Sequence, residues 1–211
     1  MVSIAFICFA VPLALMLPIL QGRSRWLVTY LLAGSYIAVC AGAVNGMIRQ
    51  ALGITSLELS LSVAPIVEEI LKALPVLIYA AARSDRRSEV LALAFSCGVG
   101  FAITENAYLM MSVGDSAAVS WALTRGLATS LVHGLCTVTV GLGFTFVHKQ
   151  KKLFYTGAFG LLAAAITYHA TFNLLVSATD PWYLAGLALP LATYAAAGAA
   201  WAAHRRRRSK A

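Results

Sequence analysis

The sequence predicts an all-α fold: a polytopic bundle of about seven transmembrane helices, N-terminus outside and C-terminus cytoplasmic. Three observations predict it. Of 211 residues, 60% are hydrophobic and only 11% charged, against roughly 25% charged in a water-soluble domain. Apolar runs near the bilayer-spanning length of about 20 residues recur along the whole chain. Lys and Arg fall in alternate connections between those runs. The length suits one membrane domain, 1–211.

The first run, Val2–Leu20, has no basic segment before it and reads as a retained helix rather than a cleaved signal. Trp26–Ile48, Leu59–Ala82 and Val90–Met111 follow. The fifth run, Ala117–Val147, exceeds a single span, which implies tilt or a part outside the lipid. Leu153–Val176 and Trp182–Ala203 complete the set. Pro12, Pro18, Pro65, Pro75 and Pro190 bend or start helices in such a bundle rather than exclude them.

Thirteen of the sixteen Lys and Arg residues lie in the first, third and fifth connections and the tail. They are Arg23 and Arg25; Arg83, Arg86 and Arg87; Lys149, Lys151 and Lys152; and Arg205, Arg206, Arg207, Arg208 and Lys210. The opposite connections hold Arg49 as their one basic residue, with Glu58, Asp115 and Asp180. Cytoplasmic loops carry the basic excess, so the ends lie on opposite sides and the number of spans is odd. The net charge of +8 therefore reports topology and contact with anionic lipid rather than nucleic-acid binding. Cys8, Cys40, Cys97 and Cys136 sit in apolar runs without a CxxC, which gives neither a disulfide framework nor a thiolate metal site.

Against this background the intramembrane polar residues stand out. Each charge at the bilayer centre costs about 2.5–3.5 kcal/mol on insertion scales. Yet the third run holds Glu68, Glu69 and Lys72, the fourth Glu105 and Asn106, the fifth Arg125 and His133, and the sixth His169 and Asn173. Counting residues at 1.5 Å of rise puts Glu68, Glu69, Glu105, His169 and Asn173 within roughly 6–15 Å of the outer boundary. Lys72 follows Glu68 by four residues and Glu69 by three, so all three are neighbours on one helix. Lys72 can hold one carboxylate ionised while the other bears the like-charge penalty, an arrangement suited to acid–base work. His169 and Asn173, four apart, can address one carbonyl group. Arg125, Thr129, His133 and Thr137 form a polar stripe at the same spacing.

Four segments resemble a known family. Pro65-Ile66-Val67-Glu68-Glu69-Ile70-Leu71-Lys72 resembles the EExxK motif of PrsW-type intramembrane proteases, and Phe101-Ala102-Ile103-Thr104-Glu105-Asn106 their FxxxEN segment. His133-Gly134-Leu135-Cys136-Thr137 resembles the third motif, with Thr137 where Ser is common, and His169-Ala170-Thr171-Phe172-Asn173 the HxxxN motif. The motifs occur in the family's order on successive runs, within a core of about 59–177. The resemblance implies a helical membrane endopeptidase of the CAAX-protease and bacteriocin-processing superfamily. It implies that Glu68 and Glu69 supply the water-activating carboxylate, and that His133 and His169 orient water or carry its proton. Asn173 would help His169 stabilise the oxyanion, Glu105 would orient a histidine, and Lys72, Asn106 and Arg125 would support the site.

The expected mechanism needs no cofactor. A zinc version would use Glu69, His133 and His169, drawn from three helices without an HExxH. A proton- or ion-coupled transporter is the alternative from another class, since intramembrane Glu, His, Lys and Arg also mark ion pathways; a silent scaffold is a third. The expected partners are a membrane-protein or precursor-peptide substrate and the lipid bilayer, with no nucleic acid. The expected location is the bacterial cytoplasmic (inner) membrane.

Overall fold

The computed structural model describes residues 2–113 and 119–208. Asp115, the expected fifth-helix start at Ala117 and the tail from Ser209 lie outside the described residues. The described chain is a succession of seven helices: α1 (Val2–Met16), α2 (Gly22–Leu52), α3 (56–82), α4 (Arg87–Val113), α5 (119–144), α6 (Lys151–Val176) and α7 (Trp182–Arg208). No strand occurs among the described residues.

Two expected helix boundaries need correction, those of the first and fifth apolar runs. The first apolar run does not form a span-length helix. Helix α1 has 15 residues and ends at Met16, because Pro18 offers no N–H to continue it and the chain turns through Ile19. At about 1.5 Å per residue, such a helix covers roughly 22 Å of a hydrocarbon core about 30 Å thick. Helix α3 has its apolar run broken by Glu68, Glu69 and Lys72. Five helices, α2 and α4 to α7, are long and apolar enough to cross a membrane. The fifth helix ends at Phe144 rather than Val147, the next residues forming turns.

Large apolar side chains face outward along the helices: Ile78 is 65% exposed, Leu123 67% and Phe159 70%. Lipid is the solvent that suits such a surface. Polar and charged groups are gathered within, where α3 packs against α2, α4, α5 and α6. Thr55 caps α3: its hydroxyl accepts the Glu58 N–H at 3.2 Å and the Glu58 carboxylate accepts the Thr55 N–H at 2.8 Å.

Glycine permits the close crossings that set the level of the site. A Cβ at Gly100 of α4 would lie 1.9 Å from the Leu31 carbonyl oxygen of α2. A Cβ at Gly98 would lie 2.4 Å from the His133 carbonyl oxygen of α5. Helix α4 is thus held between two backbones, and Ser35 Oγ donates to the Gly100 carbonyl at 2.9 Å. Close packing through small residues is a general device of membrane helices, because lipid supplies no hydrophobic drive for their association.

Helices α3 and α5 each contain a wide π turn, at Leu59–Val63 and Arg125–Thr129. Such turns displace carbonyls from the regular ladder and recur at functional sites. Both precede the acidic and histidine residues of their helix by one to two turns.

The Gly98 crossing generates a test. Gly98→Ala is expected to destabilise the protein by about 1–3 kcal/mol through overpacking against backbone. Gly160→Ala, at a position with nothing within 4 Å, should leave the thermal unfolding midpoint in detergent unchanged.

Candidate active site

Four helices bring the sequence-predicted residues into one buried cluster. Glu69 and Lys72 have no exposed surface, His133 is 1% exposed, His169 2% and Glu68 7%. Lys72 Nζ stands at the centre, 2.6 Å from Glu69 Oε1 and 2.8 Å from His133 Nδ1. The Phe101 ring covers it, its centroid 4.7 Å from Nζ. An ammonium donates, so His133 Nδ1 accepts and His133 Nε2 carries the proton. That Nε2–H faces Glu105 Oε2 at 3.0 Å.

Glu105 is held in turn by Arg125. The guanidinium donates to Glu105 Oε2 and to Asn106 Oδ1, both at 3.1 Å. The Asn106 amide donates to the Arg125 carbonyl at 3.0 Å. Arg125 thus reads the adjacent acid and amide of α4 together. At this edge, with Glu105 27% and Arg125 19% exposed, the cluster reaches the protein exterior.

On the other side, His169 Nδ1 lies 2.8 Å from Glu69 Oε1. A carboxylate accepts, so Nδ1 bears the proton and Nε2 of the neutral ring keeps its lone pair. Nε2 faces Glu68 Oε2 at 3.9 Å. That oxygen is buried and has no hydrogen-bond partner among the described residues. Glu69 Oε2 is likewise buried and unpaired, but the Glu68 oxygen is the one that faces the open imidazole nitrogen, and such a buried acceptor pair marks where an incoming donor belongs. The two histidine rings stand edge-on, with centroids 4.8 Å apart.

The cluster separates the two adjacent acids, which sequence spacing does not. Glu69 is tied by Lys72 and His169. Each acid keeps one unpartnered oxygen, and Glu68 receives its one bond from outside the motif core, from Asn45 Nδ2 of α2 at 3.3 Å to Oε1. Asn45 is 7% exposed and its own Oδ1 is unpartnered. Sequence reasoning missed it. The signal was a lone amide in the apolar run of α2, toward its C-terminal end.

Asn173 has one N–H committed elsewhere, since its Nδ2 donates to the Ser60 carbonyl at 2.9 Å. Ser60 lies in the π turn of α3, and Arg125, whose carbonyl Asn106 engages, opens the π turn of α5. In each case a motif asparagine satisfies a backbone carbonyl of a distorted turn on another helix. Within lipid no water can do so. The expected service of Asn173 to an oxyanion rests on its second N–H.

The zinc ligand set expected from sequence needs correction. Ligand atoms of Glu68, His133 and His169 lie within 4.8 Å of one another, so Glu68 rather than Glu69 completes the set. The physical reason is the ion pair that engages Glu69 with Lys72. Two imidazoles and a carboxylate are a donor set that suits catalytic zinc, and the orphaned Glu68 Oε2 is a ready ligand. The charge count agrees: three carboxyls face Lys72 and Arg125, which leaves room for one proton or one bound cation. In the arrangement observed, both nitrogens of His133 are engaged, by Lys72 and Glu105.

Comparison with known proteins now bears on this geometry. The family described as PrsW family intramembrane metalloprotease matches residues 22–201, from the start of α2 into α7. No curated protein and no solved structure matches the chain. The family match takes in all four polar segments and the five span-length helices, and the chain accordingly belongs to the PrsW family of intramembrane proteases and is an integral membrane protein.

Proposed function

We propose that the protein hydrolyses a peptide bond of a membrane-embedded or membrane-associated protein, with Glu68 as the base that activates water. The observation that carries this reading is the unpaired Glu68 Oε2 facing the open Nε2 of His169 at 3.9 Å, whereas Glu69, which also keeps one unpaired oxygen, is committed through Oε1 to Lys72 and His169. A water between these atoms donates to both. Glu68 takes its proton as the oxygen attacks the scissile carbonyl carbon. The same proton then passes to the leaving nitrogen as the C–N bond breaks, giving a carboxylic acid and an amine, between which the second water proton then moves to leave a carboxylate and an ammonium. Asn45 holds Oε1 so that Oε2 faces the water. Glu69 fixes His169 with its lone pair inward, and Lys72 neutralises Glu69 beside the developing negative charge. Arg125 and Glu105 hold His133 at the outer edge. Low dielectric strengthens each of these interactions.

The charge asymmetry of the connections supports an outside N-terminus and a cytoplasmic C-terminus. The acidic and histidine residues then lie toward the outer leaflet of a cell membrane, bacterial cytoplasmic membrane being the location this reading implies. Scissile bonds near the outer end of a substrate helix fit that depth.

A second reading is favoured by one observation, the convergence of Glu68, His133 and His169. These residues would hold zinc, which when bound lowers the pKa of water and polarises a carbonyl. Elemental analysis of protein purified without added metal separates the readings. The glutamate reading expects substoichiometric zinc and cleavage that persists in chelator. Zinc at one per chain, lost in His169→Ala with the fold retained, would establish the second reading instead.

Glu68→Gln removes the base while keeping the Asn45 contact available. Cleavage is expected to fall by about 10²- to 10⁴-fold with folded protein retained. Asn45→Ala, which leaves a buried oxygen of Glu68 without its donor, should lower it by about tenfold, the cost of one such bond. Membrane proteomics of cells expressing matched variants reads both effects as new N-termini near the outer ends of substrate helices. Undiminished cleavage by Glu68→Gln would remove Glu68 from the role of base.

A further inference from the structure

The opposite end of the bundle holds a second constellation that proteolysis does not use. A cavity of about 450 Å³ opens among the first turns of α2, the end of α3 and the start of α4. Arg23, Arg83 and Arg86 line it, with Glu89 as its one carboxylate. Glu89 is already engaged, by Arg86 and by the Tyr79 hydroxyl at 3.2 Å. Arg23 and Arg83 pair with no carboxylate among the described residues. The Arg83 guanidinium lies over the Trp26 ring, 5.4 Å from its centroid, a contact that orients the fork while leaving its N–H edge unused. Trp26 packs edge-on against Tyr79 at 5.3 Å, so the wall beneath the arginines is aromatic and rigid.

The cavity therefore combines two unpaired guanidinium groups with an apolar floor. Guanidinium forks match phosphate oxygens, and the aromatic floor suits the glycerol and first acyl carbons of a lipid rather than a free ion. It also lies where the apolar spans of α2 and α4 begin, the level at which headgroups sit. Basic pockets between membrane helices bind anionic headgroups by this chemistry.

We propose that Arg23 and Arg83, the latter seated on Trp26, form a specific site for the phosphodiester headgroup of an anionic phospholipid. The site is independent of the proteolytic reading. Its occupant ties α2, α3 and α4 together at the end opposite Glu68, through the loop that joins the two motif helices.

The test uses the full-length protein purified in a mild detergent. Native mass spectrometry and thermal shift compare added phosphatidylglycerol, phosphatidylcholine and inorganic phosphate. The proposal expects discrete phosphatidylglycerol adducts and a raised unfolding midpoint, with phosphatidylcholine and millimolar phosphate giving neither. Arg23→Gln/Arg83→Gln is expected to weaken phosphatidylglycerol binding by about tenfold or more, at roughly 1 kcal/mol for each basic residue removed. Lys151→Gln/Lys152→Gln removes the same charge outside the cavity and is expected to change binding less than about twofold. Equal losses in the two pairs would reduce the effect to diffuse surface charge and overturn the site. Equal adducts with phosphatidylcholine, or a full shift with inorganic phosphate, would overturn its assignment to an anionic lipid. Should the double variant fail to fold, Arg23→Gln alone, an exposed position, carries the same comparison.

Discussion

A single buried ammonium organises the site. Lys72 has no exposed surface, and an unpaired charge there would cost several kcal/mol. The structure answers with Glu69 Oε1 at 2.6 Å, His133 Nδ1 at 2.8 Å and the face of Phe101. The rest of the geometry follows by donor and acceptor bookkeeping. Because Lys72 donates to His133, the far nitrogen of that ring must donate, and Glu105 and Arg125 are assembled to receive it. Because Glu69 is held anionic by Lys72, it accepts from His169, whose remaining lone pair is turned toward Glu68. The one acid left without a cation of its own, Glu68, is the one whose unbonded oxygen faces that lone pair.

A second constraint is the absence of water to repair backbone. The π turns of α3 and α5 lie one to two turns ahead of the site residues and displace carbonyls from the regular ladder. Asn173 and Asn106 cover two of these, at Ser60 and Arg125. Close glycine crossings hold α4 against both α2 and α5, so that Glu105 and His133 meet across a backbone contact rather than a layer of side chains. Motif residues that look catalytic in a linear sequence thus divide their work: some face the reacting volume, others keep distorted helices satisfied.

The helical class and the gathering of Glu68, Glu69, Lys72, Glu105, His133 and His169 were legible in the sequence, since charge in lipid demands partners and helix counting sets depth. The pairing of Lys72 with an acid was legible from the i, i+3 and i, i+4 spacing. Which acid it takes was not, because two adjacent residues differ by about 100° around a helix and only neighbouring helices decide which faces inward. The π turns carry no compositional signature, and with them the brace roles of Asn106 and Asn173 were hidden. Asn45 was passed over because one amide in an apolar run reads as packing until its partner, 23 residues on, is known. The shortness of α1 was signalled by Pro18 and outweighed by the apolar run around it.

These features place one claim beneath the others: the Lys72–Glu69 pair holds the site together, and its charges are tolerated only as a pair. The direct measurement is the thermodynamic stability of Lys72→Met against Lys72→Met/Glu69→Leu in detergent, relative to wild type. The account predicts that Lys72→Met loses about 3–5 kcal/mol, having left a buried carboxylate uncompensated. It predicts that the double replacement recovers most of that loss while cleavage stays abolished, because His169 then lacks its partner. A Lys72→Met protein as stable and as active as wild type would contradict it.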